Sequence, residues 1–225
     1  MSYLSFDVGI KNLSYCVLSP EGCIERWGII NLNKDEQNCQ VHLRKECKKE
    51  ATYLVKDDCE VNYCCTSHKG KFSKLKKIKS NTNNITEVSK KCIHALREMD
   101  LSNIVHVLIE NQPALKNPIM KSIQMIIYTF FILRGVMNEG STIQEVFMVN
   151  ARNKLKVYKG PPVICPFNED KKNIYKRNKF LSVKYTEKMI EEEDKQWNEQ
   201  FKLSKKKDDL ADSYLQGIYW IEKIK

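Results

Sequence analysis

The sequence lacks an uninterrupted apolar run as long as a membrane span, which requires about 20 residues. Its longest candidate, residues 123–136, is interrupted by three polar side chains: Gln124, Thr129 and Arg134. A secretory signal peptide is also lacking, so we expect a cytoplasmic or nuclear protein that is not secreted. Together these absences predict that the chain has no membrane partner.

Positive charge, by contrast, is abundant. The formal net charge is +10 over 225 residues, which favours a polyanionic partner, with nucleic acid as the first candidate. The nine cysteines of a chain without a signal peptide favour reduced thiols, some of them metal ligands, over a disulfide framework. The length fits one domain, residues 1–225, that carries an insertion.

Three β-rich runs open the chain, at residues 3–8, 13–19 and 23–30, and the turn residues 20–22 between the last two predict an antiparallel meander. From residue 33 to residue 84 this pattern gives way to charges, cysteines and a run of lysines. We therefore interpret residues 33–84 as a small insertion rich in cysteine, histidine and lysine.

The core pattern resumes after the insertion. Asn84 and Glu87 resemble a capping box, which predicts the start of a helix. Residues 104–109 are apolar almost throughout and predict a strand buried on both faces, and Pro118 can open a long helix that ends near residue 138. The remaining predicted elements are a fifth strand at 145–149, a segment that is mostly loop at 151–173, a basic helix at 175–193 and a final helix at 209–224.

Carboxylates stand at the ends of three of these elements. Asp7 ends the first β-rich run, Glu110 ends the apolar run, and Asp209 and Asp212 are one helical turn apart at the start of the last helix. Each acid taken alone could be an ordinary turn or capping residue. The order of elements, however, is that of RNase H-like folds, a mixed five-stranded sheet flanked by helices, in which the first and fourth strands can lie side by side.

Four carboxylates at one end of such a sheet would repel one another unless cations lay between them. This is the arrangement that a two-metal phosphodiesterase needs. Because the ligands are hard oxygens, we expect two Mg²⁺ ions per site, for which Mn²⁺ can substitute. The set therefore predicts a metal-dependent nuclease.

Three segments resemble motifs of the RuvC-like Holliday junction resolvases, most closely the poxvirus-type branch of large DNA viruses. They are Asp7-Val8-Gly9-Ile10-Lys11-Asn12-Leu13, Ile109-Glu110-Asn111-Gln112 and Lys207-Asp208-Asp209-Leu210-Ala211-Asp212. The resemblance covers residues 1–32 and 84–225. It implies that Asp7, Glu110, Asp209 and Asp212 are catalytic metal ligands, with Asp208 as a neighbour.

The resemblance also implies an activity and partners. The expected enzyme is a homodimeric endonuclease that resolves four-way and other branched DNA by paired symmetric nicks during viral recombination and replication. The family uses a lysine close to the helix that precedes the last acidic pair, and Lys179 is our choice, with Lys176 as the fallback. Such a lysine would neutralise charge on the scissile phosphate. Both lysines could instead contact the DNA backbone or lie on a solvated helix face.

The insertion contains the pattern of a zinc site. Cys65 and His68 form a Cys-x-x-His pair, and Cys47 lies upstream, so a tetrahedral site could be assembled. The segment resembles small zinc-binding inserts of some giant-virus relatives of these resolvases. Cys39 completes the predicted set, and the alternatives are His42, Cys59 and Cys64, or a mobile loop of free thiols.

A run of lysines without an intervening acid follows the histidine, and these residues are Lys69, Lys71, Lys74, Lys76, Lys77 and Lys79. The run is either an arm that binds the DNA backbone or a solvated tail, and the net charge favours the arm.

The long helix after Pro118 is the predicted dimer surface, because its apolar residues spread around too much of its circumference for one core to bury. They include Met125, Ile126, Phe130, Phe131 and Leu133. A fully buried central helix is the alternative. For the whole chain, the alternatives are an RNase H-like nuclease that acts on RNA–DNA hybrids or single strands, and a zinc-bearing nucleic-acid-binding protein without catalysis.

Overall fold

The computed structural model describes residues 1–32, 38–42, 46–47, 49, 51–57, 59–78, 84–115, 117–191 and 193–224. The chain divides into two compact units. The first unit comprises Met1–Leu32 and Asn84–Lys225, and the second comprises Asn33–Asn83. Each unit has its own sheet and its own buried side chains.

The first unit opens with three strands, β1 (Ser2–Asp7), β2 (Asn12–Leu18) and β3 (Ile24–Asn31). β1 pairs with β2 and β2 pairs with β3, both antiparallel, so the predicted meander is confirmed. Gly9 forms part of the tight turn between β1 and β2. A Cβ at this position would lie 2.3 Å from the carbonyl oxygen of Asn12, so only glycine fits without a shift of the backbone.

The second unit contains three short strands, β4 (Tyr53–Val55), β5 (Tyr63–Cys64) and β6 (Leu75–Lys77), in the order β5-β4-β6. A 3-10 helix, Thr66–Lys71, follows β5. The buried cluster among the described residues of this unit consists of Cys39, Val41, Val55, Cys64 and Cys65. Its core is therefore small and rich in thiols.

Two further strands complete the sheet of the first unit, β7 (Ile104–Glu110) and β8 (Glu145–Val149). β7 lies parallel to β1 on one side and parallel to β8 on the other, which gives the order β3-β2-β1-β7-β8. This mixed five-stranded sheet confirms the predicted RNase H-like architecture. Because Phe6 is in register with Ile109, β1 and β7 end at the same edge of the sheet.

Two helices connect β6 to β7 and β7 to β8. α1 (Ile85–Arg97) begins after Asn84, whose side chain accepts a hydrogen bond from the backbone N–H of Glu87. α2 (Pro118–Phe131) has proline in its first turn, as predicted, and continues as a π-helix over Ile132–Val136.

The continuous helical stretch Pro118–Val136 is long and apolar enough to cross a membrane, with a mean hydropathy of 1.4. This corrects the expectation that no run reaches that length, because the helix adds apolar residues on the N-terminal side of the run that was considered. The core helix of a soluble protein passes the same test, however. Ile123, Ile127 and Phe131 of this stretch are fully buried in a hydrophobic core.

Three helices follow β8: α3 (Ile174–Met189), α4 (Lys195–Leu203) and α5 (Lys207–Ile224). Alternate residues of β1 face opposite sides of the sheet. Leu4 and Phe6 therefore join the core under α1 and α2, whereas Tyr3 packs against the core under α5. α5 lies very close to the sheet, because a Cβ at Gly217 would lie 2.4 Å from Leu18 Cδ1.

Two elements of the first unit differ from the prediction. The segment expected to be mostly loop begins with a 3-10 helix, Ala151–Val157, and α4 was not predicted at all. α4 is only nine residues long, and its apolar face consists mainly of the buried Phe201 and the partly buried Trp197 one turn before it, which is too short a pattern to mark a separate helix. Asp194 caps it by accepting a hydrogen bond from the Gln196 N–H.

Candidate functional site

The ends of β1 and β7 place Asp7 and Glu110 next to each other. The parallel register continues through Phe6 and Ile109, and the next residue of each strand is the acid. A cleft of about 510 Å³ opens at this edge, and Asp209 and Asp212 of α5 line it together with the two strand-end acids. The structure therefore brings the four predicted carboxylates into one cleft.

Packing of α5 on the sheet determines where its acids lie. Leu210, Ala211 and Leu215 are buried in the core, which leaves Asp209 and Asp212 on the cleft side of the helix. Buried polar contacts fix the helix on the strands. The Ser14 and Ser213 hydroxyls lie 2.9 Å apart, and the Gln216 Nε2 donates to the Ser5 Oγ and the Phe6 carbonyl oxygen, both at 3.1 Å.

Two amides hold individual carboxylates. The Asn12 Nδ2 donates to Asp209 Oδ2 at 3.0 Å, and the Gln112 Nε2 donates to Glu110 Oε2 at 2.7 Å. Gln112 is itself buried, and its backbone N–H donates to Gln124 Oε1 at 2.8 Å. Asn12 and Gln112 lie in the motifs given above, but the sequence indicates no role for them. Their contacts identify them as positioning residues for the acids.

The electrostatics of the cleft disfavour four free carboxylates. Burial, followed by the charges of Glu110 and Asp212, raises the pKa of Asp7 well above its usual range. Burial also raises the pKa values of Asp209 and Asp212. Asp212 Oδ1 is buried and has no hydrogen-bond partner within the described part of the chain. Such a set is stabilised in its charged form by cations.

Lys154 supplies one cation from the protein itself. Its Nζ lies 2.6 Å from Asp212 Oδ2, and its side chain is only 14% exposed. Burial opposes its charge, but Asp212, Asp7 and Glu110 together outweigh burial and raise the pKa of Lys154. Lys154 was not predicted, because its segment was expected to be mostly loop. The predicted fifth strand offered one signal: β8 proves parallel to β7, and a residue just after a parallel strand lies near the same edge.

Lys179 lies in α3 and also lines the cleft. Its Nζ forms an ion pair with Asp208 Oδ2 and lies 5.1 Å from the centre of the Tyr175 ring. Burial opposes its charge, but the hydrogen bonds to Asp208 and Tyr175 and the charge of Asp208 together outweigh burial and raise the pKa of Lys179. Lys176 is exposed on the same helix. The cleft thus combines acidic ligand atoms with basic side chains that could contact a phosphate.

Comparison with known proteins identifies the fold. No protein family model matches the chain. An uncharacterized protein of Acanthamoeba polyphaga mimivirus is 32% identical over 253 aligned positions, which cover 95% of this chain. The chain spans 60% of the length of that relative.

Among solved structures, the yeast mitochondrial Holliday junction resolvase aligns with 97% of this chain and 78% of its own, at 16% identity and a TM-score of 0.53. The chain has the resolvase fold. Fowlpox virus resolvase, in a crystal structure with Holliday junction DNA, aligns with all of this chain and 99% of its own, at 18% identity and a TM-score of 0.48. The fold assignment rests on the yeast protein.

The second unit is inserted in the sequence of the resolvase fold between β3 and α1. Within it, the structure brings together the predicted zinc ligands, since the ligand atoms of Cys39, Cys47, Cys65 and His68 all lie within 4.8 Å of one another. The three alternatives, His42, Cys59 and Cys64, do not belong to this group of described residues.

The predicted DNA-binding lysines of the second unit are exposed where the structure describes them. Lys69 and Lys71 lie in the 3-10 helix after β5, Lys74 precedes β6, and Lys76 and Lys77 lie on β6 itself. Lys79 lies outside the described residues. Because successive side chains of a strand point to opposite faces, Lys76 and Lys77 do not share one face of the sheet.

Proposed function

We propose that this protein is a metal-dependent endonuclease that resolves four-way and other branched DNA by paired symmetric nicks. The observation that carries the proposal is the meeting of four carboxylates from three elements, Asp7, Glu110, Asp209 and Asp212, in one cleft of a resolvase fold. Any one of these acids could be structural. A shared cleft in which burial raises the pKa values of three of them is typical of a catalytic site.

The donor set fits hard divalent cations. All four predicted ligands offer oxygen, Asp212 Oδ1 is buried without a hydrogen-bond partner among the described residues, and nearby cations would relieve the repulsion between the carboxylates. Oxygen donors suit Mg²⁺, with Mn²⁺ as a substitute. Two such ions, when bound, would supply an activated water and a counter-charge for the leaving oxygen.

The side chains of the cleft have distinct proposed roles. Gln112 and Asn12 orient Glu110 and Asp209. Lys154 is placed to offset charge on the scissile phosphate, because its protonated amine lies beside a proposed metal ligand, Asp212, at the ends of β1 and β7. Lys179, the lysine chosen from the sequence, is a second candidate for the same role, and its amine pairs with Asp208. A phosphate would have to compete with an ion pair at either lysine.

The proposed substrate is DNA, and the net charge of +10 supports a polyanion. The exposed lysines of the second unit and Lys176 are proposed backbone contacts. The proposed site of action is inside the infected cell, where viral DNA is replicated, and the mimivirus relative supports this placement.

Paired nicks require two active sites, so we propose a homodimer. The outer faces of α1 and α2 form an apolar groove of about 440 Å³. Met125 and Leu133 are exposed there, at 42% and 57%, whereas Phe130 and Phe131 of the predicted dimer surface are buried in the core. Ile126 is partly buried and lines the groove. The proposed dimer contact is therefore limited to the outer side of the helix.

The test is cleavage of a labelled four-way DNA junction by purified protein, beside a matched linear duplex and an RNA–DNA hybrid, in Mg²⁺ and in EDTA. We expect nicks at symmetric positions on the junction that disappear in EDTA and with Asp7→Asn, but persist with the control Asp100→Asn, an exposed acid that pairs with Arg26. Preferential cutting of the hybrid would move the assignment to another RNase H-like nuclease. Binding without cleavage would favour a binding protein.

A further inference from the structure

Three thiols and one imidazole of the second unit lie close together, with their ligand atoms within 4.8 Å of one another. The Cys39 Sγ and the Cys65 Sγ lie 3.3 Å and 3.5 Å from the His68 Nδ1, and the Cys47 Sγ lies 4.0 Å from the Cys65 Sγ. Cys39 and Cys65 are buried, and Cys47 and His68 are partly buried. The cluster is thus largely enclosed by protein.

The separations match the edges of a zinc tetrahedron. With Zn–S bonds of about 2.3 Å and Zn–N bonds of about 2.05 Å, tetrahedral geometry places two sulfurs about 3.8 Å apart and a sulfur about 3.5 Å from a nitrogen. The three separations given above agree with these edges to about 0.2 Å, and all four ligand atoms lie within 4.8 Å of one another. A disulfide requires sulfurs about 2.05 Å apart, so the Cys47–Cys65 separation excludes a bond between these two, and Cys39 is also a free thiol.

The backbone holds two of the ligands in one short turn. The His68 N–H donates to the Cys65 carbonyl oxygen at 3.0 Å, at the start of the 3-10 helix Thr66–Lys71. This turn keeps the Cys65 Sγ 3.5 Å from the His68 Nδ1. The Cys-x-x-His pair therefore supplies two of the four ligands of a tetrahedral site from one turn.

The second unit also needs a source of stability other than its core. It comprises about 50 residues, its strands have three, two and three residues, and Val41 and Val55 are the only buried aliphatic side chains of its described part. Domains of this size with so little buried apolar area usually require disulfides or a metal. The described part contains free thiols, which leaves a metal.

We propose that the second unit is a structural zinc module that binds one Zn²⁺ through Cys39, Cys47, Cys65 and the Nδ1 of His68. Four protein ligands leave no position for a water, so the site supports folding and has no catalytic role. The proposal goes beyond the nuclease function and does not depend on it. It assigns Cys59 and Cys64 no ligand role. The Cys59 thiol donates a hydrogen bond to the Val61 carbonyl oxygen, and Cys64 is fully buried but does not belong to the cluster of four ligand atoms.

The test is the zinc content of the purified full chain, together with the visible spectrum of protein loaded with Co²⁺. We expect one equivalent of zinc per chain and the absorption bands of tetrahedral cobalt with thiolate ligands. Zinc should fall to background in Cys65→Ser and remain at one equivalent in Cys59→Ser, whose exposed thiol lies in the same unit. Loss of zinc from both variants, or from neither, would overturn the assignment.

Because Cys65→Ser could misfold for reasons unrelated to metal, two further measurements use folded protein. His68→Cys should retain one zinc, since a fourth thiolate can replace imidazole, whereas His68→Ala should lose it. In the wild type, a strong chelator should release zinc, make three more thiols reactive and open the second unit to proteolysis. Unchanged thiol reactivity after the metal has been removed would contradict the proposal.

Discussion

The two units differ in the ligand atoms they bring together and in the size of the hydrophobic core that supports those atoms. In the first unit, the proposed oxygen ligands lie at one edge of a five-stranded sheet that has a hydrophobic core on each face. In the second, two of the proposed sulfur ligands, Cys39 and Cys65, belong to the small core itself. The comparison teaches that a strong scaffold can hold mutually repelling carboxylates before any metal binds, whereas a weak scaffold depends on its metal.

Asp7→Asn should have the largest effect, and it tests whether the acids of the first unit serve cleavage and not folding. Cleavage should fall by about 10³-fold or more, because the substitution removes an acid from the centre of the proposed metal site. The melting temperature measured without Mg²⁺ should stay the same or rise, since one of several mutually repelling carboxylates is gone. Zinc content should be unchanged. A large loss of stability would show that Asp7 is structural.

Lys154→Ala should have the next largest effect. We expect about a 10²-fold loss of cleavage, which is the range for removing one charge-stabilising group from an active site. The matched control is Lys156→Ala, an exposed lysine of the same 3-10 helix, which should cleave almost normally. Lys179→Ala tests the competing candidate, and a larger loss in this variant than in Lys154→Ala would reverse our assignment.

Gln112→Ala tests how much the orientation of Glu110 by its neighbouring amide contributes to metal binding. Without its amide, Glu110 loses a hydrogen bond of 2.7 Å, and loss of a group that orients a metal ligand typically costs about 10- to 100-fold in metal affinity or activity. We expect the Mg²⁺ concentration required for half-maximal cleavage to rise. Gln144→Ala, on the exposed segment before β8, should leave that concentration unchanged. An equal shift in both variants would contradict the positioning role.

The smallest effect should come from Lys76→Ala in the second unit. If Lys76 contacts one phosphate, junction binding should weaken a few-fold, and the slope of log affinity against log salt should fall by about one. Lys202→Ala, an exposed lysine at the end of α4, is the control. Identical salt slopes for the two variants and the wild type would remove Lys76 from the proposed arm.

The positions of side chains at a strand or helix end could be predicted from the sequence. Asp7 and Glu110 follow apolar runs that are unambiguous strands, and the spacing of Asp209 and Asp212 is one helical turn, so their convergence in one cleft could be predicted. The RNase H-like order of elements followed from the same periodicities.

The parts that could not be predicted depend on tertiary packing. Lys154 reaches the cleft because a short 3-10 helix packs beside α5, and Val157 is one of few apolar anchors in that segment. The roles of Gln112 and Asn12 follow only from their hydrogen bonds to Glu110 and Asp209, which the sequence does not show. The zinc ligands were harder to choose for a similar reason, since Cys39 is 26 residues before Cys65 in sequence and only the fold brings them together.

One measurement tests directly whether this chain holds a hard-metal site for chemistry and a soft-metal site for folding. Protein is treated with a mild chelator that removes weakly bound ions, and zinc content and junction cleavage are then measured before and after Mg²⁺ is added. We expect one zinc per chain throughout, no cleavage before the addition, and paired symmetric nicks after it. Cleavage that persists without Mg²⁺, or returns only with added zinc, would show that the two sites do not have these separate functions.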